Sequence, residues 1–347
     1  MDTESLEILG EFGLIDRIAK QTRTSRPTTL RGIGDDCAVL TSSEGKVKVV
    51  TTDLLLEGIH FDLTYCPLKH LGYKAVAVNL SDVCAMNARP EQITVSIGVS
   101  GKFTLRAIDD LYAGIRAACE RYGVDLVGGD TTTSLTGLTI SVTAIGEQRP
   151  ERLAYRGGAR PGDILCVSGD LGGAYAGLQL LEREKRVLKD NKSTSPAFDG
   201  YSYILERQLK PEPRVDIVDF WEAIGVVPTA AMDISDGLSS ELLHICAQSD
   251  TGCRIFEDKV PIHAETRRLC DELNISPIVA ALNGGEDYEL LFAIRQEDYA
   301  KFQSQPGPEI YAVGYICDKQ KGRRMMTTSG DEAELRAQGW KAFSIDS

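Results

Sequence analysis

The sequence predicts an α/β or α+β fold in two domains, and three observations carry that expectation. The chain's 347 residues exceed what one hydrophobic core comfortably organises. Apolar, β-branched runs of strand length alternate with stretches of helical periodicity along most of it. Near the middle, Arg156-Gly-Gly-Ala-Arg-Pro-Gly162 gathers glycine, proline and charge as a boundary does. The division is placed just before it, giving an N-terminal domain over 1–150 and a C-terminal domain over 151–347.

In chain order, Glu7 to Lys20 spaces Ile8, Phe12, Ile15 and Ile18 as one face of a helix. A polar loop follows, then strands over Cys37–Leu40 and Val47–Thr52 about the turn at Ser42–Gly45. Leu68 to Met86 is helical, with Leu71, Ala75, Val78 and Asp82 on one stripe. A carboxylate beside an apolar face needs a cation, helix donors or a lysine; Lys74, two turns away, is the plain candidate, and the other acidic strand ends tip the balance towards a metal ion. Ile93–Val99 reads as a strand. Thr104 caps a helix that Gly123 stops near Tyr122. The strand Val124–Val127 then leads into a loop at Gly128-Gly-Asp-Thr131, and Leu138–Gly146 is a strand long enough to pair centrally.

Beyond the boundary, strand Ile164–Ser168 meets Gly169-Asp-Leu-Gly-Gly173 at the start of a helix, a possible anion seat or simply a tight turn. Residues 187–200 form a polar surface loop. Ala230–Asp233 is a short strand, and Ser235 caps the helix after it. Further strands fall at Cys253–Phe256, Glu289–Ile294 and Ile310–Ile316, with helices near His263–Leu273 and Gln296–Phe302.

Apolar content of 42% and charged content of 26% are those of a folded soluble protein. A net charge of −13 argues against a nucleic-acid partner. No apolar run reaches membrane-span length, and the acidic N-terminus is unlike a secretory signal, so the cytoplasm is the default compartment. The nine scattered cysteines contain no Cys-x-x-Cys pair and read as reduced core thiols.

The chemistry concentrates in acids. Asp35-Asp36 sits in the glycine-flexed Gly32–Asp36 loop, and Asp53, Asp130 and Asp233 each follow an apolar strand beside Thr, Gly or Ser. Any one of these has a surface role as its commonest explanation. Brought together they would repel, and a hard cation between them relieves the repulsion. Asp36, Thr51, Thr52, Asp53, Asp82, Asp130, Asp233, Ser235 and Asp236 are the oxygen donors from which a Mg²⁺–phosphate site could be built. Glu286 and Asp287 follow a double glycine, either as exposed acids of a helix-to-strand turn or with Glu286 on a substrate. His60 is substrate-binding or a loop histidine. No Ser/His/Asp or Cys/His order suggests a covalent triad.

Taken together, Gly-Ile-Gly-Asp-Asp-Cys-Ala at 32–38, Thr-Thr-Asp at 51–53, Lys-Ala-Val-Ala-Val-Asn-Leu-Ser-Asp at 74–82, Gly-Gly-Asp-Thr at 128–131, Asp-Ile-Ser-Asp-Gly-Leu at 233–238 and Gly-Gly-Glu-Asp-Tyr-Glu-Leu at 284–290 resemble the thiamine-monophosphate kinases. Aminoimidazole ribonucleotide synthetase, selenophosphate synthetase and a hydrogenase maturation factor share the wider superfamily but not this combination.

The resemblance implies an N-terminal mixed sheet with flanking helices that pairs with its twin in a dimer barrel, and a C-terminal α/β sandwich. It implies a cytoplasmic homodimer that phosphorylates thiamine monophosphate with ATP, by direct in-line transfer assisted by several Mg²⁺ ions. Asp36, Thr51, Thr52, Asp53, Asp82, Asp130, Asp233 and Asp236 match the metal ligands. Tyr112, Gly129, Asp130, Arg156 and Ser235 match ATP contacts, while His60, Glu286 and Phe343 match substrate contacts. An acceptor that is already an ionised phosphate needs no strong general base. Alternatives are a relative with another acceptor, and a protein that binds Mg²⁺ or ATP without turnover.

Overall fold

The computed structural model describes residues 6–22, 25–42, 45–190 and 196–339, with only the backbone for 6–12. After helix α1 (Leu6–Gln21), the first sheet is made by β1 (Thr29–Arg31), β2 (Ala38–Thr41), β3 (Val47–Leu56), β4 (Arg89–Val99), β5 (Asp125–Thr133) and β6 (Thr139–Gln148), in the order β1-β2-β3-β6-β4-β5. Along β6, Ile140, Val142 and Ala144 are buried and alternate with half-buried Ser141, Thr143 and Ile145, so one face meets the core. That face is covered by α2 (Leu68–Ala85) and α3 (Leu105–Tyr122). The caps of α3 are those read from sequence: Thr104 Oγ1 accepts from Ala107 N at 3.2 Å, and Gly123 takes a left-handed φ of 65°.

The Gly-Gly-Asp segment departs from expectation. Instead of a loop after a strand, it lies inside β5, which runs parallel to β4 at the sheet edge and is exposed at every residue. Glycine makes this pairing possible: a Cβ on Gly129 would sit 1.8 Å from the Val95 carbonyl oxygen.

The second sheet is built from β7 (Ile164–Ser168), β8 (Ala230–Asp233), β9 (Thr251–Phe256), β10 (Leu290–Ile294), β11 (Ile310–Asp318), β12 (Arg323–Met326) and β13 (Glu332–Glu334), ordered β13-β12-β9-β11-β7-β10-β8. Its helices are α4 (Gly173–Asp190), α5 (Ser202–Leu209), α6 (Val215–Ile224), α7 (Leu238–Gln248), α8 (Ala264–Glu272), α9 (Pro277–Asn283) and α10 (Gln296–Ser304). Strands β8 and β10 are buried at every residue, as strands covered on both faces must be. Leu165, Met232 and Leu291 pack with residues of α7 on one side. Cys166, Ala231 and Phe292 pack with Trp221 and Phe302 on the other.

Helix α2 belongs to both halves. Leu71, Val76 and Leu80 join the first core, whereas Cys84 and Ala85 join the layer containing Trp221 and Phe292. All nine cysteines are free and buried, and among the described residues no helix is long and apolar enough to cross a membrane.

Candidate active site

The end of α2 delivers Asp82 to the end of β8, which carries Asp233, and the loop before β2 adds Asp36. One carboxylate oxygen from each of these three lies within 4.8 Å of the others. Asp36 and Asp233 are buried, and Asp82 is half-buried. Hydroxyls brace the group: Thr51 Oγ1 donates to Asp82 at 2.6 Å, and Ser81 Oγ donates to Asp233 at 2.8 Å. Asp53 lies close enough that its charge acts on both Asp82 and Asp233, and its backbone N–H is tied to Asn79 Oδ1 at 3.0 Å.

Such crowding is costly for the ionised forms. Burial first, then Asp53, Asp233 and Asp36, hold the Asp82 carboxyl well above the usual carboxylate range. Burial and then Asp36 push Asp233 up to about 7. Asp35, whose side chain is fully buried, is raised to about 6 by burial and by Asp36, although Arg31 lies 2.8 Å away. Among the described residues Arg156 is the cation paired within the nest, its Nη2 donating to Asp36 Oδ1 at 2.7 Å. Asp36 Oδ2 is buried with no hydrogen-bond partner. An acid cluster with an orphaned oxygen and only hard donors fits a divalent cation of the magnesium type.

Acids of the nest line a cleft of about 500 Å³. Its walls include Asp53, Asp82, Asp233, Ser235 and Asp236, together with Glu286, Tyr288, Ile59, His60 and Tyr65. His60 is exposed and accepts the Leu56 N–H on Nδ1 at 3.0 Å. Glu286 is held by Lys74 Nζ at 2.8 Å and Gln208 Nε2 at 2.7 Å. Lys74 therefore pairs across the domains with Glu286 and not with Asp82, which removes the plain alternative to a cation at Asp82. A pairing 212 positions away in the chain leaves no local signal.

Two local readings change as well. Ser235 does not cap α7, which starts after Gly237. The amides of Ser235 and Asp236 instead donate to buried Glu241 Oε1 at 3.2 and 2.8 Å. Asp287 is no exposed acid: its oxygens accept from Gly172 N and Ala174 N at 2.7 and 3.2 Å. The glycine loop before α4 is thus an anion seat filled by the protein's own carboxylate.

Of the sequence-derived candidates, Asp36, Thr51, Asp53, Asp82, Arg156, Asp233, Ser235, Asp236, His60 and Glu286 meet at this nest and cleft. Thr52 is on β3 but exposed, and its hydroxyl donates to the Val142 carbonyl at 3.0 Å. Gly129 and Asp130 are on the exposed edge strand β5, and Tyr112 is half-buried on α3, which packs against α2. Phe343 lies outside the described residues, as do 191–195 of the 187–200 loop. Gln208, Glu241, Ser81 and Asn79 were absent from the sequence-derived set; Asn79 and Ser81 sit within the 74–82 motif, whereas nothing in the local pattern of Gln208 and Glu241 marks them.

Comparison with known proteins converges on one family. The model for AIR synthase related protein, N-terminal domain, matches residues 34–148, and that for the C-terminal domain matches 160–327. A thiamine-monophosphate kinase of Bacillus subtilis is 33% identical over 339 residues, covering 96% of this chain and 100% of the relative. That of Aquifex aeolicus is 34% identical over 338 residues, with 97% and 99% covered. A solved structure described as AaThiL complexed with AMPPCP and TMP superimposes with a TM-score of 0.82 at 34% identity, covering 99% of this chain and 100% of the other.

Proposed function

Because the chain belongs to the thiamine-monophosphate kinases among the AIR synthase related proteins, we propose that it transfers the γ-phosphoryl group of ATP to thiamine monophosphate, giving the diphosphate. The observation that carries the reading is one cleft shared by two kinds of side chain: Asp82 and Asp233, which with Asp36 bring carboxylate oxygens within 4.8 Å of one another, and Glu286 with His60. A related structure described with both an ATP analogue and TMP supports it.

Asp36, Asp82 and Asp233, with Asp53, Asp236 and the Thr51 hydroxyl, would hold Mg²⁺. When bound, such cations supply the positive charge that lets two anionic reactants approach. The chain's own residues do the rest. Arg156 fixes Asp36 and offers cationic charge beside the nest, Glu241 sets the Ser235-Asp236 loop, and Glu286 binds the acceptor. The acceptor's phosphate brings its own ionised oxygen as nucleophile, so direct in-line transfer needs neither a phosphoenzyme nor a dedicated base. The N-terminal unit over 1–150 would supply most metal ligands, and 151–347 would complete the substrate wall.

The remaining candidates favour a homodimer in a cytoplasmic setting. The paired registers put Gly129 level with Asp53 across β6 and β4, three strand spacings or about 14 Å away. In one copy Asp130 is therefore too far from Asp53 to share an ion with it. The fully exposed β5 edge invites a second copy, whose nest Gly129 and Asp130 would serve as ATP and metal contacts, with Tyr112 on the neighbouring helix. Thr52 would take part through its main chain, since its hydroxyl is turned to Val142.

The test is steady-state ADP release with thiamine monophosphate, free thiamine and other phosphorylated acceptors, with Mg²⁺ and with chelator. Turnover with the monophosphate that vanishes on chelation is expected. Turnover with free thiamine and none with its monophosphate overturns the proposal, and ATP binding without ADP release points to a nucleotide sensor.

A further inference from the structure

A buried lysine stands in the cleft wall without a place in the phosphoryl-transfer machinery. Lys74 is 3% exposed. Its Nζ donates to the Gln208 main-chain carbonyl at 3.1 Å and lies 2.8 Å from Glu286 Oε1. Gln208, 5% exposed, donates from Nε2 to Glu286 Oε2 at 2.7 Å. The amide orientation is fixed by chemistry, since a carboxylate accepts only. Each Glu286 oxygen thus takes one donor from the protein, one from α2 and one from α5, and retains a lone pair for a ligand.

The backbone beneath Glu286 is equally constrained. Glu286 and Tyr288 adopt φ of 60° and 51°, the left-handed region that non-glycine residues seldom occupy. Glu286 N donates to Ser235 O at 2.7 Å and Tyr288 N to Ile234 O at 2.9 Å. The turn presenting Glu286 is therefore bonded to the loop that bears Asp233 and Asp236. A Cβ on Gly285 would lie 2.5 Å from Ser235 O, so the two segments could not be so close with any other residue there.

Stability alone does not account for the arrangement. Gln208 Oε1 is buried with no hydrogen-bond partner, a destabilising feature that an apolar residue would avoid. Lys74 is likewise a charge taken out of water. Resting on the proposed acceptor chemistry, we propose that Lys74 and Gln208 are positioning residues of the acceptor site. They hold the Glu286 carboxylate in one orientation, at a fixed offset from the nest, to accept from an N–H donor on the acceptor's heteroaromatic portion.

The test uses the full chain and thiamine monophosphate. Lys74→Met, Gln208→Leu, Glu286→Gln and the double variants with Glu286→Gln are compared by KM for acceptor and for ATP. Lys74→Met and Gln208→Leu are expected to raise the acceptor KM roughly tenfold to a hundredfold, the worth of a hydrogen bond to a charged group, with the ATP KM unchanged. In the Glu286→Gln background neither should add a further effect. Gln208→Leu leaves no buried charge unpaired, so it reads the role even if Lys74→Met fails to fold. An unchanged acceptor KM, equal rises in both KM values, or multiplicative effects in the doubles would overturn the inference. Loss of the acceptor reading itself shows separately, as a wild-type protein that does not turn over thiamine monophosphate.

Discussion

Replacing Asp233 by Asn should stabilise the metal-free protein while weakening its response to Mg²⁺. Two unit charges within 4.8 Å of each other repel by at least about 3.5 kcal/mol at an effective dielectric constant near 20. The raised pKa, caused first by burial and then by Asp36, includes that repulsion: a shift from 3.8 to about 7 corresponds to about 4 kcal/mol. The sign follows from proton binding. Between pH 4 and 7 the folded state keeps a proton on Asp233 that the unfolded chain has released, so this contribution is present at low pH and lost as pH rises through 7.

Asn cannot ionise and can still accept from Ser81. In chelator, the apparent Tm of Asp233→Asn should match wild type near pH 4 and exceed it by several degrees at pH 8. With Mg²⁺ the order should reverse, because only the wild-type nest gains a full ligand set. Thermal melts at both pH values, with and without Mg²⁺, make the comparison. A variant less stable than wild type at pH 8 in chelator, or equal Mg²⁺ stabilisation of both proteins, would refute the electrostatic account.

Two other substitutions probe the scaffold. Asp287→Ala removes the carboxylate seated on the amides of Gly172 and Ala174 and leaves Arg207, 3.6 Å away, without one of its counter-charges. We expect a loss of about 3 kcal/mol in urea unfolding, and a change below about 0.5 kcal/mol would contradict the capping role. Gly129→Ala places a methyl group against the Val95 carbonyl. The β5 amides should exchange faster and turnover should drop roughly tenfold or more; unaltered protection and rate would remove β5 from the site.

The sequence was most informative where signals were local. The α3 caps, the strands β7 and β8, and Asp233 at the end of β8 lie where periodicity and turn chemistry put them, because each depends on neighbours a few residues away, whereas Asp53 and Asp130 fall inside β3 and β5 and not at strand ends. Reading failed where the decisive partner is distant. Gly128-Gly-Asp130 looks like a loop until the Val95 carbonyl of β4 explains its glycine. The glycine loop before α4 looks like a ligand seat until Asp287 fills it. Asp82 was legible as a carboxylate needing a partner, but that Lys74 serves Glu286 and not Asp82 is decided by the folded arrangement of α2, α5 and the turn before β10. Gln208 and Glu241 lie on helical segments whose patterns show only amphipathicity.

The sharing of α2 between both cores bears on how the enzyme can move. Ser81 bonds Asp233 across the two units at 2.8 Å, and a few residues further along the same helix Cys84 and Ala85 are sealed within the second unit's interior. A clamshell opening would have to tear that helix from one of its hosts, exposing apolar surface on each turnover. The helix thus works as a rivet through both halves, and opening them has to cost the burial of Cys84 and Ala85.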